Sequence, residues 1–248
     1  MARLPELRRA ARALGWSAFI LGLLLAAFWL TWLVWSAAGF SYGFWHEAVG
    51  LDDNIAEYGP QNRYRQGFQL TTEAERTRLF DEIVTAINRD PDRLAGLTYH
   101  APDGRPLGRL LRPPEIRHLE DVAWLVGLFR VAGWSAVVLT PLLGGLIIRR
   151  RWPLPAWRSL ATGAGVIAAG LTALLVIAGP TAVFYHLHVW IFPADHQWFF
   201  YYQESLMSTM MRAPVLFGAI AVQWAVTALP LAVLGLLVHR GLHRRLGR

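Results

Sequence analysis

Four blocks of this chain are apolar over more residues than the roughly 20 a helix needs to cross a hydrocarbon core. They run about Trp16–Ala38, Val122–Ile148, Leu160–Phe184 and Val215–Val238. In lipid every backbone N–H and C=O has to be satisfied within its own segment, so these blocks are helices and not strands. Apolar residues make up 54% of the chain, and they gather in these blocks instead of recurring at the period of a soluble amphipathic fold. The expected fold class is an all-α membrane protein of about four transmembrane helices, one membrane domain over residues 1–248.

A formal net charge of +7 suits a nucleic-acid ligand in principle. The arginines, however, cluster at the ends of the apolar blocks, with no basic stripe or nucleic-acid motif, so no nucleic-acid partner is expected. Arg3, Arg8, Arg9 and Arg12 precede the first block. Arg149, Arg150, Arg151 and Arg158 fill the connection between the second and third, and Arg240, Arg244, Arg245 and Arg248 follow the fourth. The segment from Phe40 to Asp121 is richer in acids than in arginines, and the loop after His186 is nearly neutral. The positive-inside rule then places both termini in the cytoplasm and two loops outside. Ser36 and Ala38 have the spacing of a peptidase site, but the apolar region exceeds the ~7–15 residues of a signal peptide, and a retained anchor is expected.

Residues 40–120 carry too many structure signals for a linker and are expected to form a small α+β extracytoplasmic cap. Thr71 and Thr72 before Glu73 and Glu75 supply capping chemistry, and Leu79, Phe80, Ile83, Val84 and Ile87 form one apolar stripe at helical spacing. Leu97–Ala101, the turn Pro102-Asp103-Gly104 and Pro106–Leu111 resemble a hairpin. After Pro113 and Pro114, Glu115 opens a helix that continues into the second span.

The chain contains neither cysteine nor lysine, which removes thiolate nucleophiles, cysteine-ligated metals and Schiff-base chemistry. Glu115, His118 and Asp121 are spaced three apart and share a helix face, so a carboxylate there can hold one imidazole nitrogen of His118 and set its tautomer. The same segment also reads as a solvated, charged helix start. His186 and His188 close the third block, and at two residues apart only one of them faces a shared site. Trp190, Phe192, Trp198, Phe199, Phe200, Tyr201 and Tyr202 read as an interfacial belt. The topology puts His118 and His186 at similar depth, where a paired acid and base is the obvious use. Arg130 lies two turns inside the second block, suited to a lipid phosphate or ester, or to snorkelling alone. His196 beside Asp195 reads as a solvated turn, and His46, His100, His239 and His243 have no supporting context.

The two histidine segments resemble the lipoprotein intramolecular transacylases (Lit-type), four-span bacterial enzymes. The first signature stands here as Glu115-Ile116-Arg117-His118-Leu119-Glu120-Asp121-Val122. The second is Tyr185-His186, then Trp190, Phe192 and Trp198-Phe199-Phe200, with Leu206, Pro214 and Phe217 matching a later pattern loosely. The chain departs from the family pattern at Ala123, Tyr185 and His188. The resemblance implies an acyltransferase of the bacterial inner membrane, its active site facing outside. Its partners are diacylglyceryl-modified lipoproteins and membrane lipid. The sn-2 acyl chain moves to the α-amine of the N-terminal cysteine, giving an N-acylated lyso-lipoprotein. It further implies His118 and His186 as catalytic residues; Asp121, on the same helix face, is the candidate to orient His118. Arg130, Glu115, Tyr185 and Trp198 stand as orienting or substrate-binding residues. Neither a cofactor nor a metal is called for, and the sequence sets no oligomeric state. Two other functions fit the same spans: a haem protein with histidines from two helices as axial ligands, and a non-enzymatic assembly or sensor protein whose cap binds a partner.

Overall fold

The computed structural model of the protein describes residues 3–246. Arg248, counted above for orientation, lies outside the described residues. The elements run in the order α1 (Arg3–Ala37), α2 (Tyr42–Ala48), α3 (Leu51–Tyr58), α4 (Glu73–Arg89), β1 (Thr98–His100), β2 (Pro106–Arg109), α5 (Pro113–Arg149), α6 (Trp157–Ala178), α7 (Pro180–Ile191), α8 (Leu206–Met211) and α9 (Val215–Leu246). Of these, α1, α5, α6 and α9 are long and apolar enough to cross a membrane. The protein is an all-α membrane protein with one small two-stranded sheet between its first and second spans.

The third apolar block is not one helix to Phe184, as its composition suggested. It breaks between α6 and α7 at Gly179, whose φ is 81°, and Pro180 opens α7. Proline lacks the N–H that α6 would need to continue and pushes the preceding residue out of the helical region. His186 and His188 therefore belong to a separate short helix. The second span behaves as expected: α5 starts at Pro113 and carries Glu115, His118 and Asp121 without interruption into the apolar stretch.

The chain divides into two compact units. The first comprises Met1–Trp32, Phe129–Ile177 and Trp224–Arg248. Its buried cluster is Trp16, Phe19 and Ile147, edged by Leu23, Leu143, Trp152, Leu154 and Leu236. Close approach depends on small residues, because a Cβ added at Gly133 would run into the Trp29 ring and one at Gly22 into the Thr140 hydroxyl. By contrast α6 buries no residue. A helix apolar all round and uncovered by protein is what lipid accommodates.

The second unit comprises Leu33–Leu128 and Ala178–Gln223. The Thr72 hydroxyl accepts the Glu75 N–H at 3.2 Å and starts α4, whose Leu79, Phe80, Ile83 and Val84 are buried. Tyr42 stacks on Phe80 with ring centroids 4.5 Å apart and donates its hydroxyl to the Met210 carbonyl at 2.9 Å. Asn54 donates to the Thr209 carbonyl at 2.8 Å, so α2 and α3 hold the wholly buried α8 by hydrogen bonds as well as packing. The hairpin pairs Thr98 with Arg109 and Tyr99 with Gly108, with an irregularity between Tyr99 and His100. One charged cluster lies inside this unit. Arg76, 5% exposed, donates to Thr71 Oγ1 at 3.0 Å, pairs with Asp52, and stands 3.3 Å from Nε2 of the buried His46.

Candidate active site

Pro113 and Pro114 occupy the first turn of α5, where a missing N–H costs nothing because it has no partner in the helix. Glu115 completes that turn. Its Oε2 accepts the Arg112 N–H at 2.6 Å, and its Oε1 accepts the Ser205 hydroxyl. The carboxylate is fully buried. Ser205 in turn caps α8 by accepting the Ser208 N–H at 2.9 Å. Glu115 thus fixes the start of α5 against the start of α8, and it orients the helix that carries His118, not the imidazole.

One turn on, His118 is 9% exposed and enclosed by rings. Phe192 meets it edge-on at 4.7 Å between centroids, His188 lies at 6.1 Å with a 34° tilt, and Phe200 at 6.2 Å. Its Nδ1 is shielded from solvent and has no hydrogen-bond partner. A buried polar nitrogen without a partner is costly, and a ligand can supply the missing bond. His188 is partly buried, and its Nδ1 lies 2.8 Å from the Phe184 carbonyl. Only a protonated Nδ1 can serve that carbonyl, which assigns the tautomer and leaves Nε2 with its lone pair free. Burial holds the His188 pKa below the ordinary histidine value. Trp198 packs at 5.1 Å from His188 and Tyr185 at 5.7 Å from Trp198, so both belong to the same aromatic shell.

Two expectations are corrected by this geometry. His186 is exposed and turns its Nδ1 to the Ala182 carbonyl of its own helix at 2.7 Å. Two residues apart on α7, His186 and His188 point about 200° apart, and the one that meets His118 is His188. Asp121 does not hold His118. Its Oδ2 lies 2.7 Å from Nδ1 of His196, on the loop between α7 and α8. Arg130 lies in the other compact unit, at an exposed position twelve residues beyond His118 on α5. His196 and Ser205 carried no sequence signal, because their partners Asp121 and Glu115 are 75 and 90 residues away.

No family model matches the chain, and no curated protein does. Among solved structures it is similar to the membrane-integral lipoprotein intramolecular transacylase Lit from Bacillus cereus, with a TM-score of 0.65 and 15% identity over 95% of this chain and 97% of that one. A second structure of that Bacillus cereus protein, carrying a histidine-to-arginine substitution, matches with a TM-score of 0.63 and 14% identity over 97% and 95% of the two chains. The chain therefore has, along nearly its whole length, the fold of a membrane-integral lipoprotein transacylase.

Proposed function

We propose that the protein is an acyltransferase acting on diacylglyceryl-modified lipoproteins. It moves the sn-2 acyl chain to the α-amine of the N-terminal cysteine and releases a lyso-form N-acylated product. The observation that carries this is the pairing of His118 and His188, 6.1 Å apart inside an aromatic shell, on a fold shared with Lit. Donor and acceptor belong to one molecule, so the site has chiefly to orient them and move protons.

The tautomer of His188 makes Nε2 the base that takes a proton from the ammonium, so that the free amine can attack. His118, with a nitrogen awaiting a partner, hydrogen-bonds the carbonyl oxygen as it becomes an oxyanion and relays to the departing glyceryl oxygen the proton that the attacking nitrogen gives up as the amide forms. The ester C–O bond breaks as the amide C–N bond forms, and no serine or cysteine nucleophile is needed. The aromatic lining keeps water, the competing nucleophile, away from the ester. On this reading both termini are cytoplasmic, and residues 40–120 with the α7–α8 loop face outside a bacterial inner membrane, where lipoprotein substrates lie.

The test is mass spectrometry of a lipoprotein N-terminal lipopeptide from cells lacking any other N-acylating enzyme, with and without this protein. An acyl chain should appear on the cysteine amine as one leaves the glyceryl group, and His118→Ala and His188→Ala should each abolish it. A lipopeptide that stays diacylglyceryl with a free amine, while the folded protein is present in the membrane, overturns the reading. Haem fits less well, since Phe192 stands against both imidazoles, 4.7 and 5.2 Å away, and a macrocycle between them would have to displace it. A Soret band from the purified protein would reverse that judgement.

A further inference from the structure

The reaction proposed above leaves one proton over. Near neutral pH the acceptor amine is largely an ammonium, since an α-amine titrates at about 7.7–8.0. Of its three protons one stays on the amide, one ends on the glyceryl hydroxyl, and the third has to leave the site in every turnover. The two central histidines are poorly placed to release it. His118 is 9% exposed and enclosed by Phe192, Phe200 and His188, and His188 is covered by Phe184, Phe192 and Trp198.

A third imidazole is held one helical turn from His118, with a carboxylate already on it. His196 follows Phe192 by four residues, on a turn closed by its own N–H to the Pro193 carbonyl at 3.1 Å. Its Nδ1 is 2.7 Å from Oδ2 of Asp121, three residues along α5 from His118. Both side chains keep a solvent-facing part, 21% and 22% exposed. The other charged group facing the ring is Arg117 on α5, exposed, with Nη1 3.5 Å from His196 Nε2; Asp195 is its neighbour on the loop. A carboxylate accepting Nδ1–H fixes the tautomer and leaves Nε2 to exchange a proton. We infer that His196, held by Asp121, is the proton-exit group of the site, taking the surplus proton from the buried histidine pair and delivering it to water.

This rests on the transacylase reading, and the experiment separates the two. Purified protein in detergent is given a synthetic diacylglyceryl lipopeptide in a weakly buffered solution near pH 7, and N-acylation is followed by mass spectrometry for the wild type, His196→Ala and His196→Gln. Glutamine can still donate to Asp121 and hold the loop, but it cannot carry a proton. Both variants should be slowed at least about tenfold, and added imidazole should restore both while leaving the wild type unchanged. Restoration also demonstrates that the variants are folded. If His196→Gln runs at the wild-type rate, or if both variants keep the wild-type unfolding midpoint and stay slow with imidazole, His196 is only a loop tether and the inference fails. A wild-type protein that makes no N-acylated product overturns the transacylase reading itself, and the exit group with it.

Discussion

The rings of His118 and His188 face one another across 6.1 Å, one carried by a spanning helix and the other by a short helix set off by Gly179 and Pro180. His186, two residues away, is turned outward and bonded to its own helix. His118→Ala and His188→Ala should therefore each lower the rate of N-acylation by about 10²–10⁴, the usual contribution of a positioned acid or base. His186→Ala should stay within about twofold of the wild type, since only an exposed bond to a helix carbonyl is lost. The measurement is single-turnover conversion of a synthetic lipopeptide. Loss of activity in His186→Ala with full activity in His188→Ala would exchange the two assignments.

The pH dependence follows from the same burial. Desolvation disfavours the imidazolium of His188, so its pKa lies below the ordinary value of about 6.5 and the neutral, base-competent form persists to lower pH. The acid limb of the single-turnover rate should accordingly fall below 6.5. In Trp198→Ala, which opens one face of the His188 ring to water, that limb should move upward toward 6.5. A limb above 6.5 in the wild type would contradict the burial that the geometry describes.

The spans were legible because a lipid-crossing helix leaves a long, unambiguous block, and the hairpin was legible from Pro102-Asp103-Gly104 between two short apolar runs. The placing of Glu115, His118 and Asp121 on one helix was legible, because they repeat at helical spacing on a helix that does exist. The choice between His186 and His188 turned on the phase of α7. That phase is set by the break at Gly179 and Pro180, which a continuous apolar block conceals. Asp121 was read against the histidine nearest in sequence, while its partner His196 arrives from a loop 75 residues later. A hydrogen bond of that kind has no local signature.

Ser205 ties the site to its support. Its hydroxyl serves both Oε1 of the fully buried Glu115 and, as acceptor, the Ser208 N–H at the start of α8. Ser205→Ala removes a cap, worth about 1 kcal/mol, and leaves a buried carboxylate oxygen short of a donor at about 1–3 kcal/mol. A loss of roughly 2–4 kcal/mol is expected. It should be seen as a lower unfolding midpoint in detergent and as weaker activity, because the register of α5 against α8 carries His118. An unchanged midpoint would mean that water satisfies Glu115 when the hydroxyl is gone.

Arg76 illustrates a different dependence. Its guanidinium bonds Thr71 and stands against His46, both buried, whereas its charge partner Asp52 keeps 67% of its side chain exposed. In Arg76→Met the exposed carboxylate finds water, and the loss comes instead from the buried bond to Thr71 Oγ1, which keeps only its own donation to the Phe68 carbonyl, and from the contact with His46, which keeps Asp52 at 3.6 Å. Since both groups keep another polar neighbour, the loss of the two contacts should cost about 1–3 kcal/mol in all. Asp52→Asn should cost less, since Asp52 keeps 67% of its side chain exposed and the amide oxygen of asparagine can still accept from Arg76. Equal effects of the two substitutions would show that the ion pair, not the buried bonds, dominates.

Glu75 offers a test of sign in the cap segment. Burial alone would raise its carboxyl pKa, but the hydrogen bonds from Arg78 and His100 outweigh it and hold the pKa below the ordinary carboxyl value of 4.5. The distances are 2.6 and 2.7 Å from Arg78, and 2.8 and 2.9 Å from the His100 N–H and Nδ1. A depressed pKa means that the folded state favours the carboxylate. The stabilisation is present in full above the unfolded value and disappears as pH falls through the folded one. Glu75→Gln should therefore be less stable than the wild type near pH 7, by about 1 kcal/mol because Arg78 is partly solvated. The gap between the two unfolding midpoints should close as pH is lowered through 4.5 and beyond. A gap that widened toward acid pH would mean the carboxyl is held protonated in the folded protein, and that burial outweighs the Arg78 and His100 bonds.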